Sequence, residues 1–158
     1  TSQQRITMEL VNGTRGRSGQ QLDVWSSVFG PVGKDGYTKP LFDKRTGVID
    51  HEVAQYWKEN YDLRHIMQYN WDELGPKLVD KLHVICGHMD NFFLNIGVYY
   101  MEEFLTGPEN PYRFGSFTYG HGGHGFRPFS SVELLHKMAD HITRYAPEGE
   151  DTDAWKYE

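Results

Sequence analysis

The sequence predicts an α/β fold with parallel strands, on three observations. Leu82-His83-Val84-Ile85-Cys86 is a short apolar run that stops at Gly87, as a strand buried on both faces of a parallel sheet does. A helical segment over 95–105 follows, and then a second strand pattern, Ser116-Phe117-Thr118-Tyr119. Strand, helix, strand is the order of a right-handed crossover unit. Lastly, Asp90 follows the first run and Gly120–Gly125 the second. Polar residues thus stand at the carboxyl ends of the strands, where open α/β sheets carry their chemistry.

Taken in order, residues 1–11 favour a helix through Gln, Met, Glu and Leu, although Ile6, Met8 and Leu10 alternate as a strand would. The run Gly13–Gly19 breaks regular structure. Leu22–Phe29 reads as a short helix or packed loop containing Val24, Trp25 and Val28. Residues 30–49 carry so many Gly, Pro and Asp that a long irregular connection is expected, anchored by Tyr37 and Phe42. Asp50 can cap a helix to about Asn60, with Val53, Trp57 and Tyr61 on one face. A second short helix spans Asp62–Tyr69, and a third turn starts at Asn70 and stops at Gly75-Pro76. His51 and His65 fall on polar positions and are expected in solvent.

The helix over 95–105 has the stripe Ile96, Tyr100 and Phe104, with Gly97, Met101 and Leu105 beside it. Gly107-Pro108 ends it. Ser130-Ser131-Val132-Glu133 is a capping box. It opens a helix to about Tyr145 whose apolar stripe is Val132, Leu135, Ala139 and Ile142. Residues 148–158 read as an acidic tail, with Trp155 as a docking residue. No repeat and no boundary for a second domain is visible within 1–147.

Composition narrows the function classes. At 158 residues, 38% hydrophobic and 15% aromatic, the chain is long enough for one domain with a core and too aromatic for a disordered one. A net charge of −6 argues against nucleic acid or an anionic membrane as partner. No apolar run approaches a membrane span, and no signal peptide is visible. Cys86 is the single cysteine; within a strand it reads as a buried, inert thiol. The chain starts at Thr1, as a processed protein or a piece of a longer one would.

Asp90 and His124 are the candidate acid and base. A carboxylate can hold an imidazole in one tautomer and stabilise the imidazolium that forms when it takes a proton. One helix and one strand fit between the two residues, so a crossover brings both loops to one edge of the sheet. Gly123 and Gly125 flank His124 and are expected to let the backbone turn sharply there. A competing metal reading takes His88, Asp90, His121 and His124 as ligands. Its His-x-x-His in a glycine loop is less specific than H-E-x-x-H on a helix, which is absent. No phosphate loop is present, and no cofactor is expected. Ser18 fails as a nucleophile: Gly16-Arg17-Ser18-Gly19-Gln20 lacks the last glycine of G-x-S-x-G and no buried strand precedes it. Arg15 and Arg17 read as solvated.

At these residues the chain resembles a family. Gly87-x-x-Asp90-Asn91-Phe92-Phe93-Leu94-Asn95, the helix Val98–Leu105 and Gly122-Gly123-His124-Gly125-Phe126 resemble the C-terminal part of esterases of the esterase-D-like α/β-hydrolase kind. The stretch from Val28 through Asp35-Gly36-Tyr37 to Tyr56–Arg64 looks like the region that precedes that strand in large members. The resemblance covers roughly residues 5–147. It implies the C-terminal part of an α/β-hydrolase fold, with Asp90 as triad acid and His124 as general base. It also implies a serine on an elbow and oxyanion-hole amides in an N-terminal half that this chain lacks.

The resulting expectation is the acid–base portion of a serine esterase, inactive alone. Its partners would be a small-molecule ester and the missing N-terminal segment, another chain or a second copy. Half of a parallel sheet would expose a strand edge and an uncovered face. The alternative is a non-catalytic binding or assembly module with a degenerate hydrolase fold, using aromatics such as Trp25, Tyr37 and Trp71, or a His/Asp metal-binding domain.

Overall fold

The computed structural model describes residues 2–17 and 21–153; Ser18 and Trp155 lie outside the described residues, as do the side chains of residues 2, 3 and 5. The chain is mixed α/β with a two-stranded parallel sheet. In order come α1 (Ser2–Val11), α2 (Gln21–Phe29), α3 (His51–Tyr61), α4 (Leu63–Tyr69), α5 (Trp71–Leu78), β1 (Leu82–Gly87), α6 (Leu94–Thr106), β2 (Gly115–Gly120) and α7 (Ser131–Tyr145). Two compact units divide it: residues up to Leu82 with Tyr99–Gly115, and His83–Val98 with Ser116 onward.

In the first unit, local capping chemistry sets the helix starts. The Asp50 carboxylate accepts from the Glu52 and Val53 amides, and Asp62 accepts from His65 N–H and opens α4. Residues 30–49 are irregular as expected, pinned by isolated bridges Val32–Thr38 and Phe42–Ile49. Helix α5 does not stop at Gly75-Pro76 but continues to Leu78 with Pro76 inside it. Gly75 is needed there because a Cβ would lie 2.5 Å from the Tyr112 ring. His51 is exposed, while His65 is half-buried against Tyr69, 4.4 Å between ring centroids. The apolar core is Val53, Met67 and Leu105. Asn110 shapes the loop after α6 by accepting from Trp71 Nε1–H at 3.0 Å and donating to the Leu105 carbonyl at 2.6 Å. Trp71 is thus packing material, edge-on to Phe104 and Tyr112, rather than a docking residue.

Helix α2 is inverted relative to ordinary amphipathicity. Asp23 and Ser26 are buried, while Val24, Trp25 and Val28 are 50%, 49% and 62% exposed. The reason is an ion cluster. Lys44 pairs with Asp23, lies 3.9 Å from Glu9 Oε2 and donates to the Gly16 carbonyl at 2.9 Å. Glu9 Oε1 accepts from Leu22 N–H at 3.0 Å. All three charged side chains are largely buried. Arg17 is exposed, as expected, and there pairs with Asp35 and stacks over Tyr37.

In the second unit, β1 is not buried on both faces. Only Cys86 and Gly87 are buried; His83 and Ile85 are exposed. Among the described residues the sheet has two strands, and the face that carries His83 and Ile85 borders an open cleft beside α7 instead of being packed over. His83 is accordingly an exposed partner of Ser116, Nδ1 to Oγ 2.9 Å, and not a core histidine. The expected stripes of two helices also fail to mark buried faces. In α6, which runs from this unit into the first, Ile96 and Tyr100 of the stripe are exposed, while Phe104 is half-buried against Trp71 and Leu105 is buried. In α7, Val132, Leu135 and Ile142 remain exposed, and no residue is fully buried. The capping box at its start is present, Ser130 Oγ accepting from Glu133 N–H and the Glu133 carboxylate from Ser130 N–H.

Candidate functional site

The site begins where β1 and β2 end. Pairing continues past the strands: His88 N–H donates to the Gly120 carbonyl and Met89 N–H to the Gly122 carbonyl, both at 3.0 Å. The loop bearing Asp90 is thereby laced to the loop bearing His124. Gly87 makes this possible, because a Cβ there would lie 2.2 Å from the Gly122 oxygen and 2.6 Å from that of Gly123. Gly120 and Gly122 form a notch for the Phe126 ring, which a Cβ on either would meet at 2.3 and 2.8 Å.

Within this frame, His124 Nδ1 lies 3.0 Å from Asp90 Oδ2. Asp90 Oδ1 accepts from Phe92 N–H at 2.7 Å, so both carboxylate oxygens are engaged. The Phe92 ring stands edge-on to His124, 4.8 Å between centroids. Asp90 is 8% exposed, whereas the His124 side chain is 52% exposed. The buried carboxylate thus anchors, through Nδ1, a ring that is about half open to solvent. Phe93 adopts φ 62, a left-handed conformation that costs a bulky residue about 1–2 kcal/mol. It closes the turn by donating to the Asp90 carbonyl at 3.1 Å. Backbone strain thus sits directly beside the acid.

Desolvation pulls the Asp90 carboxyl upward, but hydrogen bonds from Phe92 N–H and His124 outweigh it and hold the group below its ordinary 3.8. A depressed folded-state value means that the ionised carboxylate's contribution to stability is complete above 3.8 and lost as pH falls through the folded value. The His124–Asp90 contact is therefore expected to survive acidification through 3.8 and to open only below it. The His124 ring resonances in an NMR acid titration check this; opening at or above 3.8 would contradict it.

The other candidates fall elsewhere. His88 stacks on Tyr119 at 5.0 Å and stands 6.2 Å from the His121 ring. Among the described residues no three His, Cys, Asp or Glu side chains gather as a metal site. Cys86 is buried, and burial, then the Asp90 charge, pushes its thiol upward, which keeps it protonated. The chain does turn at His124, Phe126 N–H donating to the Gly123 carbonyl at 3.0 Å, but without the backbone freedom expected of Gly123 and Gly125. Neither has a positive φ, and Gly125 has open space around its Cα. The glycines that matter are Gly87, Gly120 and Gly122, required by close approach rather than by backbone angle. The signal for Phe92 in the sequence is its position two residues after Asp90, where an Asx turn forms.

No family model matches the chain, and no curated protein and no solved structure matches it either.

Proposed function

We propose that Asp90 and His124 are the acid and general base of a serine esterase whose nucleophile is supplied by polypeptide outside these 158 residues. The observation that carries this reading is the 3.0 Å contact from a buried, fully engaged carboxylate to a half-exposed imidazole. In the reaction, His124 Nε2 takes the serine proton as the serine oxygen attacks the ester carbonyl. Asp90 holds the tautomer and stabilises the imidazolium. The imidazolium then protonates the departing alcohol, leaving an acyl-enzyme. Water, deprotonated by His124, releases the carboxylic acid. The resemblance to esterase-D-like hydrolases supports the same assignment.

The test uses the longer parent protein. A serine-reactive phosphonate should label it and leave this chain unlabelled. His124→Ala in the parent should lower kcat for a carboxylic ester by roughly 10⁴-fold or more. Unchanged turnover would refute the role of His124. An unlabelled parent would instead favour an assembly module, a reading that the exposed Trp25 and Tyr61, ranged around Phe29, also suits.

Association with a further segment, a second copy or another chain is part of the proposal. Among the described residues, fully buried apolar side chains are few, while Leu94, Ile96, Val132 and Leu135 are exposed. Surfaces of that kind mark contacts with other chains. Light scattering is expected to show a mass above 18.4 kDa. A monodisperse monomer with cooperative melting would contradict it.

A further inference from the structure

We propose that the cleft between α7 and the sheet face in the second unit binds an amphiphilic carboxylate, an alkyl or aryl chain with one anionic head. The cleft is open on one side and has a volume of about 530 Å³. This inference is independent of Asp90 and His124, neither of which lines the cleft.

Two rows of α7 line the cleft side by side. Leu134, Met138 and Ile142 recur every four residues and are 40%, 53% and 46% exposed, so the apolar row is open. One step around the helix, Lys137, His141 and Arg144 form a basic row, with Asp140 as the acidic neighbour. From the sheet, Ile85 extends the apolar side, and His83, Ser116 and Thr118 extend the polar one. The polar side is ordered: His83 Nδ1 meets Ser116 Oγ at 2.9 Å, and its ring packs at 79° against His141, 5.1 Å away. Tyr145 supports His141 from the same helix at 4.6 Å.

The chemistry of the two rows selects the ligand class. An open apolar row in a cleft takes a hydrocarbon chain or ring. Two permanent cations, two imidazoles and two hydroxyls beside it favour an anionic head. This local sign opposes the −6 of the whole chain. A cationic amphiphile of equal length would bury its tail equally well but place its head against Lys137 and Arg144.

The probe is dodecanoate, below its micelle concentration, titrated into the full chain and followed by NMR at the histidine rings. Dodecyltrimethylammonium and acetate serve as comparisons. Dodecanoate is expected to shift His83 and His141 while leaving His121 in place. Both comparison ligands should bind at least tenfold more weakly. Lys137 and Arg144 are exposed, so K137E/R144E should keep the native circular dichroism spectrum. It should also lose at least tenfold in dodecanoate affinity. Equal binding of the two amphiphiles, or saturation without a response at His83 and His141, would overturn the proposal. So would binding of an acidic amphipathic peptide with no response to dodecanoate, which would assign the cleft to a protein partner.

Discussion

Gly87→Ala is expected to separate His124 from Asp90 and to destabilise the fold by about 3 kcal/mol, the upper range for inserting a methyl group into packed surroundings. The atoms it would strike are backbone: the Gly122 carbonyl oxygen at 2.2 Å and that of Gly123 at 2.6 Å. They cannot rotate away as a side chain would. Relief requires the loop after β2 to lift, which breaks the bond from Met89 N–H to Gly122 and carries His124 off its carboxylate. Urea unfolding measures the stability loss, and the His124 ring resonances report the lost contact. Cys86 gives a third readout. It is the only thiol, buried next to the substituted residue, and should react faster with a disulfide reagent in the variant. Gly125→Ala is the control, since a Cβ there meets nothing within 4 Å. Its effect should stay within about 0.5 kcal/mol, as for most surface substitutions. A neutral Gly87→Ala would mean that the two loops are not in close contact.

What could be read from the residues alone was local chemistry and chain order. Asp50 and Ser130 cap helices because a short polar side chain satisfies amides two or three positions ahead, a requirement written within four residues. Asp90 and His124 were legible for a similar reason: strand, helix and strand leave them one crossover apart. Helix faces were a different matter. Ile96 and Tyr100 in α6, and Val132 and Leu135 in α7, have helical periodicity but lie outward. Periodicity marks an apolar stripe without saying whether anything packs on it, and here much apolar surface stays open. Pro76 was read as a stop because it removes a hydrogen bond, yet α5 tolerates it near its end. The roles of Gly87, Gly120 and Gly122 were not legible, because close approach across two loops leaves no trace in neighbouring residues.

The least legible feature was the ion cluster, since Glu9, Asp23 and Lys44 are far apart in the chain and each looks like an ordinary surface charge. Lys44→Met is expected to cost about 3–5 kcal/mol, the range for removing one partner from a buried charge network. The cost arises because Asp23 and Glu9 would stay buried as two carboxylates after losing the lysine they share, and because the Gly16 carbonyl loses its donor. Thermal or urea unfolding measures it, and an unchanged denaturant slope would show that the loss lies in stability rather than in compactness. Adding Asp23→Leu to Lys44→Met should recover much of the loss, because one of the two buried carboxylates is removed and apolar groups of similar volume replace ions without their desolvation penalty. Glu9 should be left in place, as its Oε1 accepts the Leu22 amide that starts α2. If the double variant is no more stable than Lys44→Met alone, the cost lies in lost packing of the lysine stem rather than in stranded charge. A loss below about 1 kcal/mol for Lys44→Met would place the three groups in solvent, where ion pairs contribute little. The inversion of α2, with Val24 and Val28 outward, would then have no electrostatic cause.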